Sequence, residues 1–450
     1  MSISKKSLLA LAAILLLIVS TACSSQEAQN GNMVKVAYRD FGANGKALTE
    51  WLNVVKAEFE QQHPGAKVQL VPVQASEADW FAKIALMMKS EDTAPDVVTE
   101  DTFMVNSDAK AGYLEPLDDK VKGWSDWENF FDGVKNGVTA NDGKIYGVPY
   151  STDTRGLFYN VNIFKKAGLP VPWQPKNWND ILTAAQTIKK KVPGVVPFWA
   201  NSGKASGEAT SMQTFEMLLY GTNDTLYDSK SGKWIVKSPG FLNSLKFIQT
   251  IYSKGLGPQL SQVLTGQAGD ILVTQLMPKE KVGIVLNGNW IPSTWRKDGP
   301  TPWPEGTKVY QFTAMPTQNG QAPGFTSMSG GWALSIPSMA KNKELAWEFI
   351  KLATSKKYQK EYSLKSGDLT TRKDVANDHE YKAEGIFNQA TKFLEFTHFR
   401  PAVDQYPAVS TQIQTTVEAV VTGSLPPKQA MDQYAQNVTR VVGTDKVVSK

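Results

Sequence analysis

The chain has 450 residues, 41% of them hydrophobic and 20% charged, and a formal net charge of +5. That length accommodates two compact domains, and the mixing of basic with acidic residues leaves no cationic stripe of the kind nucleic-acid binding requires. One cysteine, Cys23, excludes disulfides and cysteine-built metal sites or nucleophiles from the rest of the chain.

Residues 1–22 have the plan of a signal peptide. Lys5 and Lys6 precede an unbroken apolar run at 8–19, followed by the small residues Ser20, Thr21 and Ala22. The run is too short to be read first as a membrane span. The stretch VSTAC before SSQ resembles the lipobox of bacterial lipoproteins, although Ser20 stands where that motif prefers leucine. The resemblance implies that Cys23 is lipidated and becomes the mature amino terminus, an anchor to a bacterial membrane. Residues 23–32 are polar and aperiodic and read as a flexible linker.

The body then alternates strand and helix. VKVAYR at 34–39 is strand-like, and 46–62 is an amphipathic helix with Leu48, Trp51, Leu52, Val55 and Phe59 on one side. A strand at 66–73, a helix at 77–89 and the buried-strand pattern PDVVTED complete an α/β unit with a largely parallel sheet. Ligands sit beyond the carboxyl ends of such strands, which nominates Arg39, Asp40, Glu100 and Asp101 for a cleft. Asp142-Gly143 marks a turn. FYNVNIFKKAGLP, 158–170, is expected to open a helix ending at Gly168, so a second α/β layer begins near residue 157. Helices follow at 180–191, 211–220, 241–254 and 267–277. The strand KVGIVL at 281–286 opens onto NGNW, and further strands are expected at 308–315 and 331–336. Helices at 341–355, 410–422 and 427–442 close the chain.

Catalytic signatures are missing. The chain has no GxSxG, HExxH or dinucleotide fingerprint, and its three histidines, His63, His379 and His398, are far apart. No cofactor and no metal is expected. Adjacent acids such as Glu100-Asp101 leave a glycoside hydrolase open as a rival, because that chemistry needs only two carboxylates. The 13 tryptophans point elsewhere: Trp199, Trp290, Trp303 and Trp332 stand beside Gly, Asn or Pro rather than within apolar runs. A loop tryptophan in such a setting can lie flat on a sugar ring while neighbouring polar side chains take the hydroxyls; core packing is the alternative.

Six segments in order carry a family resemblance: 47–68, 94–119, 143–172, 282–290, 329–350 and 363–375, including GKIYGVPYSTDTRGLFYN, VGIVLNGNW and SGGWALSIPS. Together they resemble the extracellular solute-binding proteins of bacterial ABC importers, in the group that includes maltose- and other sugar-binding lipoproteins. The resemblance implies an α/β, two-lobed periplasmic-binding-protein-like fold. Each lobe holds a mixed, mostly parallel sheet flanked by helices, and the ligand cleft lies at a multi-segment hinge. The residues alone suggest one boundary near 155. The resemblance instead implies a first lobe of 33–150 plus 322–370 and a second of 151–321 plus 371–450, with crossings near 148–155, 315–328 and 369–373.

The expected function is a monomeric, membrane-anchored, extracytoplasmic binding protein, not an enzyme. It would capture a carbohydrate by lobe closure and deliver it to permease subunits and their ATPase, with no nucleic-acid partner. An oligosaccharide is the expected ligand; a monosaccharide or a non-sugar polar solute fits the same residues. By resemblance, the ligand-binding residues are Asp40, Glu100, Asp101, Tyr150, Tyr159, Trp290, Trp332 and Arg372, and the loop-tryptophan pattern adds Trp199.

Overall fold

The computed structural model describes residues 32–41, 45–75 and 77–450. The signal sequence, Cys23 and almost all of the linker lie outside the described residues. No helix among those described is long and apolar enough to cross a membrane.

Two sheets organise the molecule. The first has the strand order Lys67–Gln74, Met33–Asp40, Val97–Asp101, Gly331–Ser335, Val148–Thr152. Its first three strands are parallel, and Gly331–Ser335 runs antiparallel to both neighbours. A segment nearly two hundred residues downstream is thus inserted between strands of the N-terminal unit. The helix Lys46–Gln62 covers this sheet through Leu48, Trp51, Leu52, Val55 and Phe59, the side its periodicity selects. Helices Lys343–Ala353 and Lys356–Ser366 pack beside it, with Trp347, Phe349, Ile350, Tyr358 and Tyr362 in the same core.

The second sheet has the order Tyr310–Thr313, Arg155–Asn160, Val282–Gly288, Val196–Trp199. Phe158, expected to start a helix, lies in the strand Arg155–Asn160, antiparallel to Val282–Gly288. Leu157, Phe158 and Tyr159, three apolar or aromatic residues in a row, bury better in a central strand. The helix starts one step later, at Val161–Ala167, where the Asn160 side chain accepts from Ile163 N and Gly168 ends it at φ 72°. The expected helices near 211 and 271 are wound as π-helices at Ser211–Glu216 and Ile271–Leu276. The first of them turns Ser211 and Glu216 toward a buried polar network described below.

Three chain segments pass between the lobes and are tied together where they meet. Thr152 exchanges backbone hydrogen bonds with Leu369, and its hydroxyl donates to Gly330 O at 2.9 Å. Arg155 N donates to the Ser327 hydroxyl at 2.9 Å, and Arg155 Nη1 to Met328 O at 3.0 Å. The strand Phe325–Ser329 pairs with Met315–Pro316 and with Thr397–Phe399, so the middle crossing is itself the centre of a small sheet. These bonds hold the pivot, and among the described residues the lobes are joined by three segments of chain, the arrangement that permits hinge motion.

Candidate functional site

Several of the sequence candidates meet at the ends of the first sheet's strands. Trp332 stands beside Asp101 in register on one side and Ser151 on the other. Its half-buried ring meets Phe41 edge-on at 5.4 Å, and the Arg39 guanidinium lies 4.6 Å over that same phenylalanine. Asp40, half-buried, is the residue between them. Asp40, Asp101 and Trp332 are therefore brought together on one rim.

The opposite rim begins at the first crossing. Asp153 accepts from Gly330 N at 2.9 Å and pairs with Arg155. The Arg155 guanidinium lies 5.0 Å over the ring of Trp290, which is half-buried. This chain of contacts runs from Trp332 through Gly331 and Gly330 to Trp290, linking the two tryptophans across the hinge. Gly288 makes Trp290's position available: a Cβ there would fall 1.8 Å from the indole. Asp368, on the third crossing, accepts from the Tyr362 hydroxyl at 2.9 Å. Burial, reinforced by the charge of Asp153, pushes its pKa up to about 7.

A buried ionic network closes one end. Arg400 reaches Asp101 at 2.6 Å and Glu208 at 3.2 Å, and its guanidinium lies 4.3 Å over the ring of Phe103. Burial opposes its charge, but Asp101 and Glu208 more than restore it, so Arg400 stays protonated. The Tyr406 oxygen lies 2.9 Å from Glu208 Oε2 and 2.7 Å from Glu216 Oε1. One hydroxyl proton cannot serve both, so one carboxyl must donate. Burial and the charge of Glu208 raise Glu216 to about 8, which makes Glu216 the protonated partner.

The remaining sequence candidates are placed elsewhere. Glu100 alternates with Asp101 along the strand, so it points to the opposite face and is 1% exposed. Burial, then Asp108, raise its pKa well above the usual range. Tyr150 is buried between Trp51 at 5.2 Å and Tyr362 at 5.3 Å, inside the first lobe's core. Tyr159 is buried in the second lobe, its hydroxyl donating to Gln311 Oε1 at 2.5 Å and accepting from Trp173 N at 3.1 Å. Trp199 is fully buried, with Nε1 donating to Asn201 Oδ1 at 3.3 Å. Arg372, 1% exposed, is held by Asp126 and Asp374 and by Thr354 O. Tyr159, Trp199 and Arg372 are held by internal partners, whereas the buried Tyr150 hydroxyl and Glu100 carboxyl have no hydrogen-bond partner among the described residues.

Sequence reasoning missed Asp153, Arg155, Glu208, Asp368 and Arg400. The first two stand in the quoted segment STDTRG, where the polar run at a crossing was the available signal. Arg400 and Glu208 are single charges in unremarkable contexts, and only the fold brings them to Asp101. Among the described residues no group of three or more His, Cys, Asp or Glu could hold a metal ion.

The match to a family model, that of the bacterial extracellular solute-binding protein, covers residues 42–360. The galactooligosaccharide-binding protein of Bacillus subtilis (strain 168) is 24% identical over 386 residues, 84% of each chain. Among solved structures, an ABC transporter solute-binding protein of Thermotoga lettingae TMO bound with alpha-D-tagatose is 27% identical. It has a TM-score of 0.78 over 92% of this chain and all 100% of that one. Maltose-bound MalE3 of T. maritima is 23% identical, with a TM-score of 0.76 over 91% of this chain and 100% of its own. With the family model spanning well over half of its length, the chain belongs to the bacterial extracellular solute-binding proteins.

Proposed function

We propose that the chain captures a sugar between its lobes and presents it, closed, to the permease of an ABC importer. The observation that carries this reading is the pair of half-buried tryptophans, Trp332 on the first sheet and Trp290 after a strand of the second. Between them runs a hinge floor of carboxylates and arginine. Indole faces suit the apolar face of a pyranose. Asp40, Asp153 and Asp368 supply acceptors for its hydroxyls, as expected of a site that selects by a few placed polar groups. A relative named for binding galactooligosaccharide and a similar structure holding tagatose point to the same ligand class.

In this reading the first lobe is 33–150 plus 322–370 and the second 151–321 plus 371–450. The protein acts as a monomer outside the cytoplasm, lipidated at Cys23, and releases its ligand unaltered. Asp40, Asp101, Trp290 and Trp332 are the sequence candidates assigned to the ligand, joined by Asp153 and Asp368. Glu100, Tyr150, Tyr159, Trp199 and Arg372 support the site from within the lobes.

The test is a titration of intrinsic tryptophan fluorescence with a panel of mono- and oligosaccharides, followed by analysis of the recovered sugar. The expected result is a saturable change for one sugar class, and sugar recovered intact. Indifference to the whole panel would remove the sugar assignment, and cleaved product would replace it with hydrolysis.

A further inference from the structure

A cavity of about 540 Å³ opens at the edge of the second sheet. None of Asp101, Trp290, Trp332 or Arg400 lines it. One wall is the sheet-edge strand Tyr310–Thr313, and the others include Trp173, Phe387 and Gln389. Its volume falls within the range of small-molecule sites.

Two features distinguish it from a surface crevice. The first is chemistry. Six aromatic rings line it, Tyr159, Trp173, Tyr310, Phe312 and Phe387 among them, all at least nine-tenths buried, and the amides of Gln174, Gln311 and Gln389 line it too. The Arg296 guanidinium is already committed to Leu364 O, which leaves Glu384 as the one carboxylate of the lining. Rings with neutral amides suit an uncharged, hydroxyl-bearing solute.

The second feature is position. Leu364 belongs to the helix Lys356–Ser366, which packs on the first-lobe helix Lys46–Gln62, whereas the edge strand belongs to the second sheet. Between them, Asn289 accepts from Thr154 N at 2.8 Å and donates to Gly367 O at 2.7 Å, so it grips two of the three crossings. Both Asn289 and Gly367 line the cavity. The partition toward the cleft is thin: a Cβ on Gly367 would stand 3.1 Å from Trp290 Cα. Lobe motion changes the shape of a cavity walled in this way. An occupant must then prefer one closure state.

We propose that this cavity is an accessory site for an uncharged polyhydroxylated solute of mono- or disaccharide size, coupled to lobe closure through the Asn289–Gly367 wall. The coupling rests on the closure reading above; binding in the cavity does not depend on what the cleft holds.

The test introduces Gln311→Cys, an exposed edge-strand position on the cavity, into the full chain carrying Cys23→Ser, so that the new thiol is alone. Its alkylation by N-ethylmaleimide is timed with and without D-glucose, maltose or glycerol. At least one probe should slow alkylation in a saturable way, by about fivefold, and shift the midpoint of any cleft response by a similar factor. Protection should persist when Trp332→Ala is added. Unchanged rates with all three probes overturn the proposal, as does protection that vanishes with Trp332→Ala, since the cavity would then only sense the cleft. Protection in a protein whose tryptophan fluorescence ignores every sugar would instead sink the cleft assignment and leave the accessory site standing.

Discussion

Arg400 Nη2 of the second lobe lies 2.6 Å from Asp101 Oδ1 of the first, with the two side chains 5% and 11% exposed. Phe103 beside it also crosses over, packing in the second lobe's core and meeting Tyr406 at 5.7 Å. Lys110 pairs with Asp404 further out. These contacts join the two lobes directly through protein groups. Opening would strip Asp101 from Arg400 but leave Glu208 and Tyr406 in place, so the arginine keeps a partner in both states. The closed state alone gains the Asp101 contact.

That asymmetry sets the size of the effect. Losing one partner of a buried pair costs about 3–5 kcal/mol when the charge is left alone. Here Glu208 remains, so Asp101→Asn should weaken closure by less, about 1–2 kcal/mol, or roughly tenfold in ligand affinity. Small-angle scattering of the unliganded variant should show a larger radius of gyration than wild type. An unchanged radius and affinity would mean that Asp101 adds nothing to closure.

Arg372→Ala separates structure from recognition. The guanidinium bridges Asp126 of the first lobe and Asp374 beyond the third crossing, and lies 5.3 Å over the ring of Phe130. Removing it leaves two part-exposed acids without their cation and should cost about 1–3 kcal/mol of stability. Because its partners, Asp126, Asp374, Thr354 and Phe130, are not cleft residues, the folded fraction should bind with near-normal Kd. Calorimetric unfolding beside a sugar titration checks both halves. A large affinity loss at unchanged melting temperature would return Arg372 to the binding site.

Four buried acids predict how stability depends on pH. Glu100 and Asp108 face one another, and burial raises both, Asp108 to about 6. Burial likewise raises Asp368 to about 7 and Glu216 to about 8. Unfolded, all would titrate near 4. Between about pH 4 and 8 the native state therefore holds more protons than the unfolded chain, and stability falls as pH rises through that window. Glu100→Gln keeps the shape and removes a charge, so it should flatten the decline and raise the melting temperature at pH 8 relative to wild type. Melting curves at pH 5 and 8 decide it. An equal slope in both proteins would show that the pair ionises without cost.

The sequence made the two-lobed plan legible through ordered segments, but it was weaker on which side chains face the cleft. Glu100 and Asp101 show why. Adjacent acids at a strand end look alike in a sequence, yet the pleat sends one into the core and the other to the rim. Tyr150 and Trp199 carry the residue types of a sugar site, but their strands are buried on both faces. Arg400 was illegible for a different reason. Its partners, Asp101 and Glu208, are 299 and 192 residues away, and no local pattern encodes such a meeting.

Gly288 provides the sharpest test of Trp290. It sits in the buried strand Val282–Gly288, and the Trp290 ring folds directly over it, 1.8 to 2.3 Å from where a Cβ would stand. No side chain larger than hydrogen fits without moving the indole. Gly288→Ala should therefore expel the ring from its place beside Arg155 while leaving the strand pairing with Arg155–Asn160 intact. The expected outcome is an affinity loss as large as that of Trp290→Ala, about tenfold or more. The destabilisation should stay within the range of an overpacked site, about 1–3 kcal/mol. Combining the two substitutions distinguishes direct from indirect action. Once the indole is gone, the added methyl has nothing to displace, so the double variant should bind no worse than Trp290→Ala alone. Additive losses would mean that Gly288 acts on the ligand by another route, through the backbone of the NGNW turn rather than through the ring.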